Sequence, residues 1–319
     1  MTFSDIYALW REEKAKTVKP ASFSTYVLIA ESYVLPYVAE KTALAEADML
    51  ALQEAVREAG NSDKTAYDAA KLMMGVLRFG AQRGMCPMPS WKLCRAGRKE
   101  ERGIRILSAR EQAKLLEYIY AVPSPRNIGL YLALTTGITM GELCHLTWQD
   151  IDLKAKVLHV RGNAGRYYKV DAGTGERTWV VKKEEEAQER AIPLAPPQVK
   201  FLGQEEGKHR PETFLVTQTT CPVDPRVVRN HVRAVFRALD LREHQFKDLR
   251  HSFAVRCLET GCDFATLGFL LGVERIDLLV GQYRPFVEIH PRKSMEQMIS
   301  GLCQASPAGS DYSSTETES

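Results

Sequence analysis

The sequence predicts a mostly α-helical protein with one small β-sheet, arranged as a helical N-terminal unit and a mixed α/β second unit. Three observations predict it. Residues 1–91 carry four stretches with helical apolar spacing, broken at Pro20, Gly60 and Gly84. Residues 92–105 are basic and lack apolar periodicity, as a linker does. Beyond residue 106, helical segments flank short strand-like runs separated by Asp171, Gly173 and Gly175.

The elements follow in order. Thr2 or Ser4 caps a helix to about Lys16, with Ile6, Leu9 and Trp10 on one face. A second segment, 22–38, is rich in Tyr, Val and Leu, and a third, 44–58, stops at Gly60. Asn61 or Ser62 opens a fourth that continues to Arg83, so that four helices form a small bundle. Ser108 and Glu111 make an S-x-x-E capping box that opens the second unit. Helices are expected there at 108–121, 126–136, 139–147, 225–239, 248–260 and 264–271. Strands are expected at 156–161 and 178–183, with a short run from Arg190 ending at Pro193. A segment at 294–302 places Met295, Met298, Ile299 and Leu302 on one side of a helix. The expected organisation is 1–91, helical; 92–105, basic linker; 106–303, mixed α/β; and 304–319, a polar acidic tail that is expected to be disordered.

With 319 residues, 45% hydrophobic and 26% charged, the chain is long enough for two cores. No stretch approaches the roughly 18 to 20 apolar residues of a membrane span, and the charged opening residues lack an apolar signal core. A soluble, cytoplasmic protein is expected. The seven cysteines (Cys86, Cys94, Cys144, Cys221, Cys257, Cys262 and Cys303) are odd in number, widely spaced and without a C-x-x-C pair. That pattern argues against a disulfide framework and a zinc site. The net charge is +3, but Asp311, Glu316 and Glu318 lie in the tail, so residues 1–310 hold +6. Residues 92–105 hold six basic side chains (Lys92, Arg95, Arg98, Lys99, Arg102, Arg105) against Glu100 and Glu101, and residues 225–293 hold twelve basic against eight acidic. Such clusters suit a phosphate backbone, with a solvated charged surface as the plain alternative.

Three stretches bear on chemistry. Residues 135–153 read TTGITMGELCHLTWQDIDL, residues 246–261 read FKDLRHSFAVRCLETG, and residues 270–283 read LLGVERIDLLVGQY. Between the first two lie Lys182, Lys183 and the run RAIPL at 190–194. In this order, over residues 106–290, the stretches resemble the tyrosine recombinase (phage integrase) family. Each motif alone is weak, whereas their joint order is specific.

The resemblance implies a SAM-like core-binding domain followed by a recombinase catalytic domain, and a role in DNA recombination and integration of a mobile genetic element. It implies attack of a tyrosine hydroxyl on a DNA phosphodiester, giving a covalent 3′-phosphotyrosine and a free 5′ hydroxyl, with no metal and no nucleotide cofactor. Tyr283 falls at the nucleophile position. Arg250 falls at the second clamp arginine, whose planar and permanently charged fork suits phosphate oxygens. Lys182 or Lys183 falls at the hairpin lysine that protonates the leaving oxygen; the run EEEAQ before Arg190 leaves the register open, and Lys183 is taken. Glu142 and Asp150 are read as structural, and His251 as packing. Arg95, Arg98, Arg102 and Arg105 are expected to cross the DNA backbone. The partners implied are double-stranded DNA and further copies of the chain, as a tetramer on DNA that exchanges segment 294–302.

The chain departs from the family pattern at three places. The first clamp arginine is here Thr139, which instead suits a helix cap. The histidine three residues before the second arginine is here Lys247, a donor to phosphate but a poor base at its ordinary pKa. The histidine after LLG is here Val273, which has no side-chain hydrogen bond to offer. His244 is considered as a stand-in for the histidine at 247. Arg256, six residues beyond Arg250, turns mostly away on a helix, which leaves Arg275 as the better substitute for the missing arginine. One preorganised donor to a developing oxyanion is worth about 10² to 10³ in rate. Two main readings therefore stand: an active recombinase with a substituted pocket, and a DNA-binding accessory or regulatory protein on the same fold that no longer cuts. An interaction protein without a DNA role is the blander third.

Overall fold

The structure, a computed structural model, describes residues 1–93, 103–170, 177–287, 295, 296 and 299. Helix α1 (Phe3–Thr17) begins where Thr2 and Asp5 each accept the other's backbone N–H, satisfying two otherwise orphan donors. Its inner face is Phe3, Ile6, Tyr7 and Trp10; Leu9, expected on that face, is exposed. Helix α2 (Pro20–Ile29) starts on Pro20, where a missing N–H costs nothing. The single helix expected over 22–38 is interrupted, with a π turn at Ala30–Val34 before α3 (Leu35–Val38). Pro36 accounts for the break: it has no N–H to donate, and its ring crowds the carbonyl one turn back. Helices α4 (Glu46–Glu58) and α5 (Asp63–Gln82), the latter capped by Ser62, complete this layer. Trp10, Met49, Leu52 and Met73 are among the side chains the five helices bury together.

The rest of the chain is built on one helix, Phe246–Glu259. Helix α6 (Ala109–Ala121) opens on the Ser108–Glu111 capping box, and α7 (Pro125–Thr136) and α8 (Met140–His145) follow. An antiparallel sheet in the order β1-β2-β3 comes next: β1 (Ile151–Asp152), β2 (Val157–Val170) and β3 (Arg177–Pro193). The hairpin is longer than the sequence suggested. The expected strand 178–183 and the run from Arg190 are one strand: Glu184 and Glu185 stay paired with Asn163 and Gly162, and residues 186–189 are taken up at a register break before Arg190 pairs with Val160. Ladder pairing runs through backbone groups, so a charged run is carried in a strand that apolar alternation does not announce. Helices α9 (Pro196–Gly203), α10 (Pro225–Ala238), α11 (Phe246–Glu259), α12 (Phe264–Leu271) and α13 (Ile276–Tyr283) follow. Of these, α9 and α13 were not expected as separate helices.

Leu115, Leu132, Leu143, Leu158, Phe214 and Leu249 belong to one buried cluster, and Val255, Leu267, Leu271, Leu279 and Tyr283 to another. Helix α11 lies between them, giving Leu249 to the first and Val255 to the second. Ser24 of α2 ties the N-terminal helices to the hairpin: its Oγ accepts the Tyr168 N–H at 2.5 Å and donates to the Tyr168 carbonyl at 3.1 Å. Of segment 294–302, residues 295, 296 and 299 are described; they are helical and exposed. Among the described residues no helix is long and apolar enough to cross a membrane.

Candidate active site

Helix α7 ends at Gly137 (φ +69°) and α12 at Gly272 (φ +65°), left-handed positions that favour glycine. At Gly137 a β-carbon would also strike Phe253 and Leu271. The last carbonyls of a helix lack intrahelical partners, and Arg250 of α11 takes up two at these ends. Its Nη1 donates to the Gly137 carbonyl at 2.7 Å and its Nη2 to the Leu271 carbonyl at 2.8 Å. The negative ends of two helix dipoles thus hold one guanidinium.

Arg190, from β3, lies against the same shelf. Its Nε donates to the Leu270 carbonyl at 3.0 Å and its Nη1 to Glu142 at 2.6 Å. Glu142 also closes the cap of α8: it accepts the Thr139 N–H at 2.6 Å while Thr139 Oγ1 accepts the Glu142 N–H at 3.2 Å. Burial opposes ionisation of Glu142, but the hydrogen bond and charge of Arg190 outweigh it and hold the carboxyl below its ordinary value. Thr139 therefore serves as a helix cap at the position where the resembling family carries an arginine.

A cleft of about 480 Å³ opens beside this shelf, lined by Thr139, Met140, Arg229, Arg233, Arg242, His244, Lys247 and Arg250 among others. Every charged group in that lining is basic. Arg229 and Arg233 stand one turn apart on α10, both exposed. His244 reaches the cleft and is mostly buried, with Glu111 at 3.4 Å and Asp248 at 3.6 Å.

Tyr283 packs further along α11. It is 2% exposed, packed with α11, α12 and α13, and is not part of the cleft lining. Its hydroxyl meets His251 Nδ1 at 2.8 Å, with the rings tilted by 59°. Burial raises the Tyr283 phenol above its ordinary value, with the charge of Arg250 opposing. Burial lowers His251 below its ordinary value; Lys247 and Arg250 add to this and Asp248 opposes it. His251, read from the sequence as packing, is the hydrogen-bond partner of the tyrosine.

The structure brings Thr139, Lys247 and Arg250 to one cleft and sets Tyr283 against His251, the residue next to Arg250, but it does not bring Lys183 there. Lys183 pairs with Ala164 on the hairpin, and its Nζ sits 4.5 Å over the Phe214 ring, a cation–π contact that holds it off the cleft. Lys182 pairs with Gly165. Val273 packs against the apolar cluster around Tyr283. Arg275, the expected substitute cation, is exposed and paired with Asp277 at 2.6 Å. Arg256 pairs with Glu259 instead. Arg105 donates to the Glu243 carbonyl at 2.7 Å and pairs with its carboxylate at 3.2 Å. Arg95, Arg98 and Arg102 lie outside the described residues. Asp150 accepts the Thr147 N–H at 2.8 Å and pairs with Arg161. Sequence reasoning missed His251 and Arg190 as site residues. Their signals were available: His251 lies one turn past Lys247 on the same helix face, and Arg190 opens the RAIPL run.

Comparison with known proteins gives a family and a fold. The model of the phage integrase family matches residues 105–285. The chain is 25% identical over 246 residues to tyrosine recombinase XerC of Xylella fastidiosa (strain M23), covering 74% of each chain. It is 20% identical over 326 residues to a XerC-like tyrosine recombinase of Caldanaerobacter subterraneus subsp. tengcongensis, covering 93% of this chain and 83% of the relative. Among solved structures it is similar to the Tn1549 transposon integrase in complex with a circular intermediate DNA (TM-score 0.70, 17% identity, 95% of this chain and 99% of that one). It is also similar to a lambda integrase dimer bound to a COC′ core site (TM-score 0.60, 17% identity, 92% and 97% of the two chains).

Proposed function

Because the chain belongs to the phage integrase family, we propose that it is a site-specific DNA recombinase that cleaves and rejoins strands through a 3′-phosphotyrosine on Tyr283. The observation that carries this reading is the arrangement on α11. Consecutive residues, Arg250 and His251, face a basic cleft and the hydroxyl of Tyr283 respectively. A phosphate seated in the cleft meets Arg250 and Lys247 as donors to its non-bridging oxygens. Lys183, on a flexible stem, leaves the face of Phe214 to protonate the departing 5′ oxygen. The bond energy is kept in the phosphotyrosine, so no cofactor is called for. Residues 1–91 act as the core-binding domain and 106–303 as the catalytic domain, closing on double-stranded DNA from two sides with the basic residues of 92–105 along the backbone. Met295 and Ile299, one turn apart and both exposed, support exchange of segment 294–302 between copies in a tetramer on DNA. The reaction takes place in the cytoplasm.

The test is a nicked DNA duplex carrying a site selected from bound fragments. Covalent attachment that is absent in Tyr283→Phe is the expected result. Tight binding with no adduct overturns the reading and leaves a DNA-holding protein on a recombinase fold.

A further inference from the structure

Lys247 lines the cleft beside Arg250. One turn further along the same face of α11 is His251, whose Nδ1 lies 2.8 Å from Tyr283 Oη. That distance is within direct proton-transfer reach. The tyrosine ring is enclosed by Ala254, Val255, Leu267, Leu271 and Leu279, so the hydroxyl is shielded from bulk water.

We propose that His251 is a catalytic residue, the proton acceptor for Tyr283 during strand cleavage and the donor that returns the proton during strand joining. The inference rests on the recombinase reading above. In cleavage, the Tyr283 O–H bond breaks and its proton passes to Nδ1 as Oη forms a bond to phosphorus. The bond from phosphorus to the 5′ oxygen breaks, and that oxygen takes a proton from Lys183. In joining, the 5′ hydroxyl attacks phosphorus and gives its proton back to Lys183. Tyr283 leaves and recovers its own proton from the His251 imidazolium. Atoms and charges balance without any other reactant.

The surroundings fit the role. A base must be neutral before the step, and burial disfavours the charged imidazole, as do Lys247 and Arg250 on the same helix. Asp248, also on α11, opposes them and steadies the imidazolium once it forms. From α13 the facing group is Tyr283 itself. The positive charge of Arg250 favours the developing phenolate.

The experiment is single-turnover formation of the covalent adduct on nicked DNA across pH, with the full-length protein and with His251→Asn, His251→Gln and His251→Ala. Wild type should lose rate as pH falls through a value below 6.5, the ordinary histidine pKa. The Asn and Gln variants, which keep a hydrogen bond but take no proton, should lose about 10² or more in rate, within the span general-base catalysis supplies. They should also lose the acid limb and bind DNA as wild type does. Imidazole in solution should restore part of the rate of His251→Ala. If Asn and Gln variants that bind DNA normally keep the rate within threefold with the acid limb in place, the inference falls while the recombinase reading stands. If His251→Asn does not fold, His251→Gln and imidazole rescue of His251→Ala decide it in the same way. If wild type forms no adduct at any pH, both fall together.

Discussion

Arg190 and Glu142 meet at 2.6 Å with side chains only 6% and 7% exposed. Their pairing links β3 to α8, and through the Leu270 carbonyl to the end of α12 that also receives Arg250. Removing one partner leaves a buried charge alone, which typically costs about 3 to 5 kcal/mol, whereas removing both is much milder. Arg190→Met should therefore lower unfolding stability by about that amount. Arg190→Met with Glu142→Leu should recover a large part of it. Chemical denaturation of the four proteins in the cycle measures this; a double variant as unstable as the two single losses combined would show that the pair is not a unit.

Glu142 also carries a pH signature. Its carboxyl is held below the ordinary value of 4.5 in the folded chain, so the folded state binds fewer protons than the unfolded one in that region. The stability it contributes is complete above 4.5 and is lost as pH falls through the lower folded value. Glu142→Gln should flatten the acid side of the stability profile relative to wild type. Profiles that remain parallel below pH 5 would assign the acid sensitivity elsewhere.

Gly137→Ala should hurt more than Gly60→Ala. Both glycines have positive φ, but a β-carbon at Gly60 meets nothing within 4 Å while one at Gly137 collides with Phe253 and Leu271. Backbone strain alone gives about 1 to 2 kcal/mol at either site. The clash adds to it at Gly137 and shifts the carbonyl that holds Arg250. Slower adduct formation is expected for Gly137→Ala alone, and equal melting temperatures for the two variants would contradict this account.

Thr139→Arg puts a guanidinium into the cleft at the cost of a cap worth about 1 kcal/mol. Adduct formation on nicked DNA should rise by about tenfold or more, since one such donor is worth 10² to 10³ where geometry is ideal. A further rise is expected when Lys247→His and Val273→His are added. No gain in the single variant would mean that the basic lining already supplies the missing charge.

Arg229→Ala and Arg233→Ala should each weaken DNA binding and reduce the slope of log affinity against log salt by about one. Binding titrations at several salt concentrations read this directly. Unchanged slopes would place the DNA away from α10.

Much of the fold was legible because it rests on local signals. Thr2, Ser62, Ser108 and Asp263 cap helices near where short polar side chains precede apolar periodicity, and Gly137 and Gly272 close α7 and α12. The long β3 was not, because cross-strand backbone bonds, and not side-chain pattern, carry its charged middle. Nor was the π turn, which turns on a single proline inside an otherwise helical run. In the site, Arg250 and Thr139 could be placed by motif, and Thr139 could be read as a cap. What pattern could not supply was direction. The Tyr283 hydroxyl points at His251, and Lys183 lies over Phe214. Both are outcomes of packing between segments far apart in the chain.

The hydrogen bonds between Ser24 and Tyr168 have a consequence for how the chain behaves in a crowd. Strand β1 pairs with β2 only at Val157 and Leu158, so the flank of β2 further along faces away from β3 with no strand beside it among the described residues. At Tyr168 one hydroxyl answers both the N–H and the C=O on that flank. A helix is thereby laid where another molecule's strand would otherwise zip on. The N-terminal helices guard a sticky edge, and a chain shorn of them would be expected to clump through its hairpin before it failed at anything else.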